Sequence, residues 1–177
     1  MPVLANRMIR ASKLDVNLYE EVEGDKNAFR QAMLVVVISS VAAGIGSIAT
    51  GGIIGIISGT LAALVGWFIW AYLTYLIGTK LLPEAQTKSN PGELLRTLGF
   101  AAAPGTIRIL GLIPFLRDIA FFIASVWMLL TMVIGIRQAL DYKSTLRAVG
   151  VALIGWLIQL LIMGIFLFAF VSPALQV

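Results

Sequence analysis

The stretch Gly99–Asp118, GFAAAPGTIRILGLIPFLRD, decides how many times this chain crosses a bilayer. It is apolar enough for a span, yet it holds Pro104, Pro114, an Ala103-Pro104-Gly105 break and a lone Arg108. A helix from Pro91 to Ala103 is about 20 Å long and too short to cross; continued through Leu112 it reaches about 33 Å, enough for a kinked crossing of a core of roughly 30 Å. Pro104 has no amide to give the Phe100 carbonyl and disfavours helical geometry at Ala103, so the expectation is a helix kinked or broken at Pro104. A carbonyl freed at that depth has to be met by protein or water.

Charge decides what length leaves open, because Lys and Arg in short loops favour the cytoplasmic side. If five segments cross with the amino terminus inside, 11 of the 13 Lys and Arg lie inside and only Arg108 and Arg117 outside. If the third segment dips and returns, the division is 10 against 3. Crossing is therefore favoured, narrowly.

The neighbouring sequence fits the same reading. From Gln31 to Thr79 no residue is charged, a run of about 73 Å as helix and so two crossings. Their turn is expected at Ala49-Thr50-Gly51-Gly52, where paired glycines give backbone freedom. Asn90-Pro91-Gly92-Glu93 supplies an N-cap residue, a proline at the first helical position and a nearby glutamate, so a helix starts near Pro91. Asp118 can cap a fourth helix and Ser144 or Thr145 a fifth, uncharged from Ala148 to Val171. The expected fold class is all-α: a polytopic membrane bundle of five transmembrane helices at about 28–49, 53–78, 91–113, 118–140 and 145–171, with residues 1–27 as a cytoplasmic amphipathic segment and 28–177 as the transmembrane domain.

Composition agrees and excludes much. Of 177 residues, 59% are hydrophobic and 12% charged, more apolar surface than a soluble domain of this size buries. The absence of Cys and His removes disulfides, thiol nucleophiles, imidazole bases and nearly all transition-metal sites. No phosphate-binding glycine loop and no paired carboxylates within a span are found, so no enzyme, no cofactor and no metal are expected. A net charge of +4, thinly spread, does not point to nucleic acid. The start, MPVLANRMIRASKLDVNLYEEVEGDK, lacks an early apolar core, and no cleavable signal peptide is expected.

Several residues stand out as candidates for contact. Gly51, Gly55, Gly59 and Ala63 make a small-residue ridge on span two, and Ser39, Ala43 and Ser47 one on span one; they serve either packing of the two spans or an oligomer interface. Phe100, Pro104, Gly105 and Arg108 form a mid-membrane break. Arg108 either snorkels to the outer interface or forms a polar site with Asp118, the carboxylate at Val177 or the freed carbonyls. Gln159 on span five is read as an interhelical hydrogen-bonding group. Trp67, Trp70, Tyr72 and Tyr75 suit the inner headgroup level, and Trp127 and Trp156 suit packing. Leu4, Met8, Ala11, Leu18 and Val22 form an apolar stripe, with Arg7, Arg10 and Lys13 placed to meet an anionic membrane surface; Glu20, Glu21, Glu23 and Asp25 suit a soluble cytoplasmic partner instead.

The segments KLDVNLYEEVEGD (13–25), GWFIWAYLTYLIGTKLL (66–82), LLRTLGFAAAPGTIRILGLIP (94–114) and IRQALDYKSTLRAVGVALIGW (136–156) together resemble the YIP1 family of five-span membrane proteins, its prokaryotic members above all. The resemblance implies a cytoplasmic amino terminus and five helices and, in eukaryotic relatives, vesicle traffic through small GTPases and partner membrane proteins. The pre-membrane region here, about 27 residues, is too short for a sizeable GTPase-binding segment. The expected function is thus a non-enzymatic integral membrane scaffold or adaptor in a prokaryotic cell membrane, with the bilayer and other membrane proteins as partners. The alternatives are an accessory subunit of a larger membrane complex, respiratory or photosynthetic, or a small channel or transporter using the break at Pro104.

Overall fold

The structure, a computed structural model, describes the backbone of residues 2–171 and the side chains of residues 3–161. It is helical throughout, with no strand among the described residues. Helix α1 spans Pro2–Ser12 and α2 spans Val16–Gly24; between them Leu14 takes φ 61°, and the Asp15 side chain caps α2 by accepting from the Asn17 amide. Helix α3 spans Ala28–Gly46, and α4 spans Ile48–Leu76 and runs on as a π turn, Ile77–Leu81. The reversal between α3 and α4 begins at Ser47 rather than Ala49: Ser47, at φ −113° and ψ 17°, leaves helical geometry and ends α3, its hydroxyl bonding back to the Ala43 carbonyl at 2.9 Å. The glycine pair still bends the chain: Gly52 sits at φ 58°, ψ −166°, inside α4, a conformation open to a residue without Cβ.

Helix α5 spans Pro91–Ala101, α6 spans Arg117–Ala139 and α7 spans Thr145–Val171. At the start of α5, Asn90 accepts from the amides of Gly92 and Glu93 while the Glu93 carboxylate accepts from the Asn90 amide, a complete capping box. Three stretches are long and apolar enough to cross a membrane: Ala28–Gly46, Ile48–Leu81 and Pro114–Ala139. The first part of α7, Thr145–Leu161, is apolar but shorter.

The opening stretch changes helix type. The α-helix ends at Ala101, and Ala103–Leu112 follows as ten residues of 3-10 helix, with a further 3-10 turn at Pro114–Leu116. Two carbonyls lose their usual donors at this join. That of Phe100 faces a proline, and that of Ala101 is abandoned because the Gly105 amide turns to Ala102 at 3.0 Å. The Thr131 hydroxyl of α6, fully buried, sits 2.7 Å from the Ala101 oxygen, its shortest contact, with the Met128 carbonyl of its own helix at 2.9 Å sharing the same donor.

This third segment is the centre of the bundle, pressed between α3 and α6. Its seam with α3 is nearly without side chains. A Cβ added to Gly99 would lie 2.7 Å from the Ala32 Cβ; one on Gly105 would lie 2.0 Å from the Ser39 Oγ; one on Gly46 would lie 1.9 Å from the Arg108 carbonyl oxygen. Gly111 completes the series, with its Cβ position 2.6 Å from the Gly46 oxygen. On α3 the contacts recur every seven residues, two α turns (Ala32, Ser39, Gly46). On the third segment they recur every six (Gly99, Gly105, Gly111): the interval from Gly105 to Gly111 is two 3-10 turns, and that from Gly99 runs out of the last turn of α5 into them. Two turns advance about 10.5 Å in one geometry and about 12 Å in the other, so the two periods stay nearly in step along the contact.

Candidate functional site

Three surfaces gather the polar and small residues. The first is an amino-terminal platform. Arg7 reaches Glu21 at 2.7 Å, Asp25 at 3.0 Å and the Gln31 side-chain oxygen at 3.0 Å; Arg10 reaches Asp15 at 2.7 Å and Glu21 at 2.6 Å. Arg10 as partner holds the Asp15 and Glu21 carboxyls below their ordinary values. Both arginines are thus engaged by acids of the same chain, while Lys13 stays exposed. Sequence spacing does not reveal this pairing, since it depends on the Leu14 turn folding α1 back beside α2.

The apolar stripe of the platform faces inward: Ala11, Leu18, Tyr19 and Val22 are fully buried, and Leu4 and Met8 pack against them. The outer side of α1 still exposes Val3 and Ile9. Besides the Arg7–Gln31 bond to α3, two side chains of the bundle fasten the platform. Buried Arg96 of α5 donates to the carbonyls of Val22 and Glu23 at the carboxyl end of α2, where a cation also meets the favourable end of the helix dipole. The Trp127 indole donates to the Ser12 carbonyl at 2.6 Å. Beside Arg96, the Glu23 carboxyl has one oxygen buried without a partner. Burial, with Glu20, Asp141 and Glu93 nearby, pushes its pKa up to about 8 against the opposing pull of Arg96.

The second surface is a cleft of about 300 Å³ inside the bundle, walled by α3 to α7 and the 3-10 segment. Arg108, Gln159, Trp70, Trp156 and Ser39 line it. Arg108 donates through Nη2 to the Ser125 hydroxyl at 3.2 Å and lies 5.6 Å over the Phe121 ring. Its Nε is buried and, among the described residues, has no partner; the same holds for the Trp70 indole nitrogen. Asp118 does not bond Arg108 among these contacts, and the carboxylate at Val177 lies outside the described residues. Phe100, Pro104 and Gly105 are buried, Gly105 against Ser39 in the seam with α3, and Gln159 is exposed at the cleft. Of the four aromatics at the end of span two, Trp67 is buried and donates to the Leu95 carbonyl at 3.0 Å, Trp70 and Tyr75 are half-buried, and Tyr72 points outward.

The third surface is the outer face of α4. Gly51, Gly55 and Gly59 have nothing within 4 Å of an added Cβ, and Ile53, Ile54, Ile57 and Leu61 stand exposed around them. Ala63 is half-buried and turns to the cleft. On α3, Ser39 is buried against Gly105, and Ala43 and Ser47 are half-buried. The α3–α4 contact runs instead through Gly44, where a Cβ would lie 2.9 Å from Ile56.

A family model described as the Yip1 domain matches residues 19–167, which takes in the last two-thirds of α2, the capping box, the 3-10 segment and most of α7. The chain belongs to the Yip1 family. This makes it a member of a family of membrane proteins, in keeping with its three crossing-length helices. Neither the curated proteins nor the solved structures supply a match to this Yip1-family chain. The matched region begins at Tyr19, whose ring packs beside Gly135 and whose hydroxyl meets the Ala11 carbonyl, so the docked part of α2 from Tyr19 to Gly24 lies within the matched domain.

Proposed function

We propose that this Yip1-family chain works without catalysis, as a membrane scaffold or adaptor that binds other membrane proteins through the outer face of α4. In this reading it crosses a prokaryotic cell membrane five times, with the platform on the cytoplasmic side and the chain end opposite. The observation that carries the reading is the contrast along α4. Ile48–Leu81 is the longest of the three crossing-length stretches, yet only 6% of its most apolar window is buried, and Gly51, Gly55 and Gly59 have nothing within 4 Å of an added Cβ. Small residues on a lipid-facing helix let a second backbone approach closely, and packing, not hydrophobicity, drives helix association in lipid.

The chain has no cysteine, so single cysteines at Ser58 and Leu61 report contacts in native membranes without background. The reading expects crosslinked species above the monomer, reduced several-fold by Gly55→Leu together with Gly59→Leu, with thermal stability unchanged. Migration of the gently solubilised protein as one small species, with no crosslinks at either position, refutes it.

A further inference from the structure

The cleft around Arg108 contains a positive charge that no acid among the described residues answers. All nine carboxylate side chains are accounted for by sequence, and none lies between Gln31 and Thr79, between Leu94 and Arg117, or after Asp141. The residues beyond Leu161, whose side chains are not described, contain no Asp or Glu. Arg108 has five N–H donors and gives one to Ser125; Nε is buried and unused. The Trp70 indole nitrogen, on the same cleft, is a second buried donor without an acceptor. Buried donors in native proteins are met almost without exception, and an arginine at membrane depth is matched by an anion or by water. Around these donors the cleft is apolar and adaptable, with Trp156, Met128 and Met132 in its walls. Its volume, about 300 Å³, is at the low end of small-molecule sites.

We propose that this cleft binds a single-chain acidic amphiphile drawn from the bilayer, its acid group on Arg108 and its hydrocarbon chain between Trp70, Trp156, Met128 and Met132. The proposal does not rest on the scaffold reading, since the α4 face and the cleft are separate surfaces. An acid group fits because guanidinium meets carboxylate or phosphate in a charge-assisted, geometrically matched pair. An unbranched chain fits because, away from Arg108, Gln159 and the serines of α3, the walls are apolar and slender: tryptophan and methionine side chains with Val36, Leu98 and Ala101 between them.

The probe is ω-bromoundecanoate, whose bromine quenches tryptophan fluorescence on contact, added to the full chain in a neutral detergent at pH 8. Concentrations are expressed per micelle, to remove differences in partitioning. Saturable quenching of Trp67, Trp70 and Trp156, the three tryptophans that line the cleft, is expected, with Trp127 outside it supplying unquenched background. ω-Bromoundecanol, equal in length and uncharged, should bind at least tenfold more weakly, and Arg108→Gln should bring the acid down to the alcohol's level. Equal binding of acid and alcohol by the unsubstituted chain overturns the proposal and needs no variant to fold. Arg108→Gln retaining full affinity for the acid overturns it as well. Inorganic phosphate in large excess should leave the quenching in place; displacement by phosphate alone would show a site for a free anion and sink the amphiphile.

Discussion

Replacing Gly46 by alanine tests the seam most directly. The new methyl would stand 1.9 Å from the Arg108 carbonyl oxygen, 3.0 Å from the carbonyl carbon and 3.2 Å from the Phe121 ring. The obstacle is backbone, so no side chain can swing aside, and reaching van der Waals distance requires α3 and the 3-10 segment to part by at least about 1 Å. Overfilling a close-packed contact costs roughly 1–3 kcal/mol, and an obstacle of this kind belongs at the upper end. Helix propensity works the other way, favouring alanine over glycine by up to about 1 kcal/mol, so any loss reports the seam. A net loss near 2 kcal/mol corresponds to a Tm lower by roughly 4–8 °C for a chain of this size. The assay is thermal unfolding in mild detergent, followed by intrinsic tryptophan fluorescence. Gly59→Ala is the internal control, because nothing lies within 4 Å of its added Cβ. If Gly46→Ala melts as late as Gly59→Ala, the close approach of α3 to the third segment is refuted.

The other expectations concern the platform and the loops. Arg96→Leu removes a charged donor from the carbonyls of Val22 and Glu23, worth about 1.5–3 kcal/mol, and should raise amide hydrogen exchange across residues 2–24 well before the bundle unfolds. Glu23 carries a folded pKa raised to about 8 from an ordinary value of 4.5, so the folded state holds its proton more tightly; platform docking should be strongest below about pH 4.5, weaken as pH rises to about 8 and then level off. Glu23→Gln should flatten that slope, as read by exchange at pH 5 and pH 8.5; a slope that survives assigns it elsewhere. Tyr142 is buried, and its hydroxyl lies 2.8 Å from the Gly78 carbonyl and 2.7 Å from that of Leu82, pinning the π turn. Its pKa, pushed up to about 12 by burial, keeps it a donor at neutral pH, and Tyr142→Phe should cost about 1 kcal/mol, measured as a Tm lower by roughly 2–4 °C.

What was legible in the sequence was local. Asn90-Pro91-Gly92-Glu93 announces a capping box because every atom involved lies within four residues, and the structure builds it. Pro104 announces a change in the helix because its missing amide acts on its own turn, although whether the chain would kink or change helix type depends on neighbours. Choosing 3-10 geometry required Thr131, some thirty residues away, to accept the burden of Ala101. The small residues of α3 misled by their spacing. Ser39, Ala43 and Ser47 suggest a four-residue ridge, whereas the close contacts fall at Ala32, Ser39 and Gly46, a seven-residue repeat visible only once the partner's pitch is known. Arg7 and Arg10 were recognisable as cations but not as partners of Glu21, because pairing across a turn is a tertiary fact.

The 3-10 geometry of Ala103–Leu112 also bears on bilayer thickness. Rewound as α-helix, the same ten residues would be about 5 Å shorter and would face a different way around their axis, at 3.6 rather than 3.0 residues per turn. Gly105 and Gly111 would then swing off the side that meets Ser39 and Gly46. A thinning lipid environment, which rewards a shorter rod, must therefore tear the zipper of small residues before it can shorten the rod, so adjustment to a new thickness falls to tilt.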